Sequence, residues 1–253
     1  MLKRNLRDRI FTKVGAIFMK YYISDLHFFH RNIYTLDHRD FETLFDMHDN
    51  MIKKWNEKVN DADEVYIVGD FSFGNGTQSW QILNKLNGKL ILIEGNHDNF
   101  YLDDPEFVDT FDYVCSYLEV NDQQRKVILS HYPMPFYNGQ FYKDDNNNYP
   151  TYMLYGHVHN TYDEYLLNHA MNFIKSQDRT DITEQIVKTP QQMINVFCCF
   201  SDYQPMSLNE WIVIDKKRRQ IINQEEAKYG LLDQNKWKEL NQVMIEKGKT
   251  QFK

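Results

Sequence analysis

Five short fragments of this chain place metal-ligating side chains close together: Asp25-Leu26-His27, Gly69-Asp70, Gly95-Asn96-His97-Asp98, Ser130-His131 and Gly156-His157-Val158-His159. Singly, each has a plainer account. Gly, Asn and Asp are all turn residues, so Gly95 to Asp98 also reads as a capped turn, and a His-x-His pair arises easily by chance. Together they offer imidazole, carboxylate and amide donors from Asp25, His27, Asp70, Asn96, His131, His157 and His159. That mixture suits borderline-hard divalent ions such as Mn²⁺, Fe²⁺ or Zn²⁺. In extended backbone, residues two apart point the same way, so Asp25 with His27, and His157 with His159, are each expected to aim at one spot.

Each fragment follows an apolar run that reads as a strand: residues 21–24, 64–68, 89–94, 126–129 and 152–155. Between the first three lie two helical patterns. Phe41, Leu44, Phe45, His48, Met51, Ile52, Trp55 and Val59 form one apolar stripe, in which His48 is a packing residue. The other helix spans about 77–87, with Thr77 as N-cap, Trp80, Leu83 and Leu86 facing inward and Gly88 at the C′ position. Strands alternating with helices, and apolar throughout, predict an α/β sheet covered on both faces. After Asp98 the segments shorten (113–120, 195–200 and 210–215 among them), which predicts a second, more antiparallel set of strands. A sheet edge that gathers several strand ends converges their side chains where open α/β sheets bind ligands. We expect one domain over 20–253, preceded by a basic extension (1–19), with insertions at 138–150 and, near the site, at 161–194. A helical tail is expected over 225–253.

Composition narrows the function classes. The chain has 253 residues, 42% of them hydrophobic and 26% charged, with a formal charge of −7, which fits an ordinary globular protein and disfavours a broad nucleic-acid-coating face. Bound divalent cations can still reverse the local field for a phosphate-bearing substrate. The apolar part of the opening segment (14–19) is too short for a signal core or a membrane span. Three cysteines without framework or CxxC spacing read as buried thiols in a reducing, cytoplasmic setting.

The five fragments, in order, resemble the blocks of the calcineurin-like metallophosphoesterase superfamily over about residues 21–215. The runs Asp25-Leu26-His27-Phe28-Phe29-His30-Arg31-Asn32, Leu86-Asn87-Gly88-Lys89 and Asp202-Tyr203-Gln204-Pro205-Met206-Ser207-Leu208 are similar to its small bacterial and phage phosphohydrolase branch. The resemblance implies a metallo-dependent phosphatase-like α/β/β/α sandwich, two mixed sheets flanked by helices. It also implies two divalent ions, Mn²⁺ first, with Fe²⁺, Zn²⁺, Ni²⁺ and Mg²⁺ as alternatives. By resemblance one ion is held by Asp25, His27, Asp70 and His159, and the other by Asp70, Asn96, His131 and His157. His97 is then the acid near the substrate and Asp98 orients it. The second block reads Gly69-Asp70-Phe71-Ser72-Phe73, without the acidic residue that often follows, which touches only the surroundings of the ligands.

The implied chemistry is phosphoester hydrolysis, with Asp70 bridging two ions that share a hydroxide and clamp the phosphoryl oxygens. His30, Arg31 and Asn32 follow the first block closely enough to contact phosphate. The aromatics Tyr132, Phe136, Tyr137, Phe141 and Tyr142 follow His131 and either pack or form a rim on which a base stacks. A phosphodiesterase acting on nucleotides or cyclic nucleotides is the first expectation, ahead of a nuclease or a phosphomonoesterase or protein phosphatase. A non-catalytic scaffold predicts lost ligands, and none is lost here.

Overall fold

The computed structural model describes residues 18–99 and 110–251. The basic opening stretch therefore lies, up to residue 17, outside the described residues. Four strands, β1 (Lys20–Ile23), β2 (Glu64–Val68), β3 (Lys89–Ile93) and β4 (Tyr113–Cys115), form the first sheet in that order. Every pairing in it is parallel, with Tyr22 opposite Tyr66 and Tyr66 opposite Ile91. Ile23, Ile67, Val68, Leu92 and Ile93 are fully buried, as continuous apolar strands covered on both faces should be.

The second sheet has the order β10 (Met193–Asn195), β7 (Thr151–Tyr155), β6 (Arg125–Leu129), β5 (Leu118–Asp122). Its inner pairings are parallel and only β5 with β6 is antiparallel. It is mixed, but less antiparallel than expected. The sheets meet along β1: Ser24 N–H donates to Val196 O (2.9 Å) and Cys198 N–H donates to Ser24 O (3.1 Å). The strand ends that carry the ligand fragments therefore share one edge.

Helices α1 (Ile33–Asp37), α2 (Leu44–Lys58), α3 (Gly76–Leu83), α4 (Tyr162–Ser176), α5 (Leu208–Tyr229) and α6 (Gln234–Gln251) flank the sheets. On α2, Met47, Met51 and Trp55 are buried as the stripe requires, and His48 packs inside, accepting from Phe29 N–H (2.9 Å). Phe45, placed on the stripe by sequence, is instead 78% exposed. In α3 the N-cap is Asn75, not Thr77, through a capping box with Gln78. The buried face of α3 is Ser79, Ile82 and Leu83, which leaves Trp80 47% exposed, and Gly88 lies beyond the helix in the tight turn (φ +97°) before β3.

Three further expectations change. Segment 210–215 is not a strand but part of α5, whose start is fixed by the Ser207–Glu210 capping box. A short apolar run does not tell strand from buried helix, whereas Ser-x-x-Glu was the decisive local signal. Segment 195–200 leaves β10 at Asn195 and becomes a 3₁₀ turn over Cys198–Ser201. Segment 113–120 divides into β4 and β5, which belong to different sheets.

Residues 161–194, expected as an insertion, form α4 and then a hairpin, β8 (Asp178–Thr180) with β9 (Ile186–Lys188), and end within β10. Tyr165 on α4 packs with Ile222, Leu232, Trp237 and Met244 of the C-terminal segment. Trp237 Nε1–H and Asn241 Nδ2–H both donate to Asn160 O (3.1 and 2.5 Å), which ties α6 to the residue after His159. Cys198 and Cys199 are buried and Cys115 half-buried, all three as free thiols.

Candidate metal centre

The ligand fragments are built from backbone that non-glycine residues rarely adopt. Asp25 (φ 55°), His27 (φ 53°), Asp70 (φ 53°), His157 (φ 69°) and His159 (φ 46°) all lie in the left-handed region. Each such residue costs about 1–3 kcal/mol, and clusters of them mark functional sites. Convergence of Asp25 with His27, and of His157 with His159, thus comes from paired left-handed turns and not from strand alternation. The turns are held by a ladder between neighbouring loops. Asp25 N–H donates to Gly69 O, His27 N–H to Asp70 O and Phe28 N–H to Phe71 O, each at 3.0 Å.

A glycine precedes three of the ligand blocks because a side chain there would occupy the site. A Cβ on Gly69 would sit 2.1 Å from His131 Nδ1, on Gly95 2.2 Å from Asp70 Oδ1, and on Gly156 2.5 Å from Asp25 Oδ2. Gly95 is therefore required for close approach of Asp70, since its own φ is not positive.

Asp25, His27, Asp70 and His159 bring one ligand atom each within 4.8 Å of one another. His27 Nε2 is 2.9 Å from His159 Nε2, and Asp25 Oδ1 is 3.4 Å from the latter. His159 Nδ1–H donates to Asp37 Oδ1 (2.7 Å), so in the neutral ring Nε2 is a lone pair aimed at other lone pairs. Such an arrangement suits a cation at its centre. Positive charge is favoured there, since burial lowers the His159 pKa but Asp25 and Asp37 overcome it and push it up to about 10, so a metal ion would take the place of a proton. Burial, then the charge of His159, pushes His27 well below the imidazole range.

A second convergence lies beside the first. His131 Nδ1 faces Val68 O at 3.0 Å, and a carbonyl only accepts, so Nδ1 carries the proton and Nε2 is a lone pair. That lone pair faces Asn96 Oδ1 at 3.0 Å, and His157 Nδ1 reaches the same oxygen at 2.9 Å. Asp70 Oδ2 stands between the groups, 3.7 Å from His27 Nε2 and 3.6 Å from His131 Nε2. Donors about 2.0–2.2 Å from a common ion are separated by roughly 3.0–3.5 Å. The spacings of these pairs, from 2.9 to 3.7 Å, bracket that range.

The remaining predicted residues surround these two groups. His97 N–H donates to Asp70 Oδ1 (2.9 Å), and its ring lies 4.5 Å from that of Phe73 and 5.8 Å from that of His27. Asp98 is 0% exposed, and its carboxylate accepts N–H groups from Gly95 (2.7 Å), Asp70 (3.0 Å) and Phe71 (2.9 Å). His30 stacks on Phe73 at 3.9 Å, while Arg31 and Asn32 are exposed on the same loop. Tyr132, 49% exposed, stands edge-on to His157 at 4.6 Å, whereas the half-buried Tyr137 has its hydroxyl accepting from Gln192 N–H.

Sequence reading did not single out Asp37, Arg39 or Phe73. Asp37 and Arg39 lie twelve and fourteen residues past Asp25, at the end of the one-turn helix α1 and just after it, where the stretch is too short for periodicity to mark them. An aspartate and an arginine that are both buried are a signal only once burial is known.

A lone-pair cluster divided by one carboxylate, at the shared edge of two sheets, defines a candidate metal centre. The sequence model of the calcineurin-like phosphoesterase superfamily domain matches residues 21–173, and the chain belongs to that superfamily. It is 42% identical over 82 residues to an uncharacterized protein of Methanocaldococcus jannaschii, a match covering 32% of this chain and 47% of that protein. The chain thus spans about half the length of that relative. In fold it is similar to the crystal structure of a protein of unknown function from Aquifex aeolicus. That similarity has a TM-score of 0.54 at 24% identity and covers 77% of this chain and 97% of the other. Helices α5 and α6 follow the residues matched by the family.

Proposed function

We propose that the protein is a hydrolase of phosphodiesters in nucleotides or cyclic nucleotides, working in the cytoplasm with two divalent ions, Mn²⁺ foremost. The observation that carries this reading is Asp70 Oδ2, placed almost equally far from His27 and His131. Asp25, His27 and His159 with Asp70 hold one ion, and Asn96, His131 and His157 with Asp70 hold the other. When bound, two such ions supply Lewis acidity and a water of low pKa for in-line displacement.

The chain's own groups do the rest. His97, with its N–H anchored on Asp70 Oδ1 and its ring beside Phe73, delivers a proton to the leaving oxygen. Asp98 fixes the turn that presents His97 by gathering N–H groups from Gly95, Asp70 and Phe71. His30, which stacks on Phe73, and the exposed Arg31 and Asn32 that follow it meet the phosphoryl oxygens. Tyr132, exposed beside His157, offers a planar base an aromatic partner. The formal charge of −7 works against holding a long polyanion.

The test is hydrolysis by the Mn²⁺-loaded protein of bis-(p-nitrophenyl) phosphate, p-nitrophenyl phosphate, 2′,3′-cyclic mononucleotides, plasmid DNA and single-stranded DNA. Turnover of the diester and the cyclic nucleotides above the others is expected. Preferred cleavage of DNA reassigns the protein as a nuclease, and no turnover of any substrate overturns the reading.

A further inference from the structure

Asp37 is buried, takes no part in the ligand set, and meets His159 on the side away from His27. His159 Nδ1–H donates to Asp37 Oδ1 at 2.7 Å, and the other carboxylate oxygen accepts from Arg39 Nη2 (2.8 Å) and Nε (3.0 Å). Arg39, also buried, reaches the ligand loop itself, with Nη2 donating to Asp25 O (2.8 Å) and Nη1 to Leu26 O (2.7 Å). One ion pair therefore grips the backbone of Asp25 from the first sheet and the ring of His159 from the second. The opposite face of that ring is closed by Phe197, stacked at 4.9 Å with its plane 24° away, and Asn195 Nδ2–H donates to His159 O at 2.7 Å.

We infer that Asp37, clamped by Arg39, is the positioning residue that sets the metal affinity of the Asp25–His27–His159 group, by fixing His159 with Nδ1 protonated and Nε2 free to ligate. The inference rests on the reading that these residues hold a metal. A carboxylate behind a ligating histidine fixes tautomer and ring orientation and raises basicity, and its loss costs about 10–100-fold in metal affinity. The pair also steadies the left-handed turn at Asp25, whose carbonyl Arg39 holds. The other group has a weaker equivalent, since His131 Nδ1 rests on the neutral carbonyl of Val68. The two groups should therefore respond separately.

Calorimetric titration of chelator-treated full-length protein with Mn²⁺, for wild type and Asp37→Asn, tests this. One of two binding events is expected to weaken about 10–100-fold while the other stays within about twofold. A Co²⁺-loaded Asp37→Asn protein should also show a shifted visible d–d spectrum. Equal affinity at both events and an unchanged Co²⁺ spectrum, with wild-type far-UV dichroism, overturn the inference. Absence of metal binding by the wild type overturns instead the reading on which it rests. Should Asp37→Asn fail to fold, the wild type alone decides. In the diamagnetic Zn²⁺-loaded protein, long-range ¹H–¹⁵N spectra should show His159 as the Nδ1–H tautomer, and an Nε2–H tautomer contradicts the inference.

Discussion

Replacing Asp98 with alanine separates two jobs that its place in the chain allows, orienting His97 or holding the loops together. The geometry favours the second. Its fully buried carboxylate accepts three backbone N–H groups, from Gly95, Asp70 and Phe71, at 2.7–3.0 Å. Asp98→Ala strands all three donors where water does not reach. A buried donor without a partner costs about 1–3 kcal/mol, so even at the lower bound the loss is about 3 kcal/mol. For a chain of this size each kcal/mol lowers Tm by about 2–4 °C, which gives a fall of at least about 6 °C. Asp98→Asn should fall between, because its amide NH₂ must face one of those N–H groups. Two of the three donors belong to Asp70 and its neighbour, so metal content should drop with Tm. Differential scanning calorimetry with parallel metal analysis reads both. A Tm change below about 2 °C, with the rate reduced as far as in His97→Ala, would refute the loop-holding role.

Three other outcomes follow from the same geometry. His97→Ala should lower kcat by about 10²–10⁴ with metal content unchanged, as for a proton donor outside the ligand set; equal loss of metal makes His97 part of the metal-holding frame. Gly95→Ala places a methyl group 2.2 Å from Asp70 Oδ1 and should cost at least about 1–3 kcal/mol, together with metal, as measured by thermal melts and metal analysis. His159 ligates only after losing a proton held to about pH 10 by Asp25 and Asp37, so Mn²⁺ affinity should tighten by up to about tenfold per pH unit between 6 and 8. The stability linkage has the matching sign. A pKa raised in the folded state stabilises the chelator-treated protein fully below about 6.5, and this is lost as pH rises toward 10. Affinity independent of pH, measured by titration calorimetry, contradicts the assignment of His159.

The sheet and the chemistry of its edge were legible because each depends on local pattern. The runs at β2, β3 and β7 are apolar on both faces, and each ends on a glycine or a short polar turn carrying a ligand-type residue. What sequence concealed depends on distant partners. Asp25 and His27 converge through left-handed backbone held by the ladder to Gly69, Asp70 and Phe71 and by Arg39. Asp37 gains meaning from a histidine 122 residues away. Trp80 and Phe45 had the right spacing for a buried face, but the faces that pack are centred on Ser79, Ile82 and Leu83 and on Met47, Met51 and Trp55, which leaves both in solvent. Segment 210–215 was read by its apolar run and not by the capping box at Ser207 and Glu210, the stronger physical signal.

The direct test of the two-ion site is an anomalous difference map from crystals of the Mn²⁺-loaded protein. Two peaks are expected on either side of Asp70, one bounded by Asp25, His27 and His159, the other by Asn96, His131 and His157. A single peak, or peaks that do not share Asp70, would contradict the proposed centre.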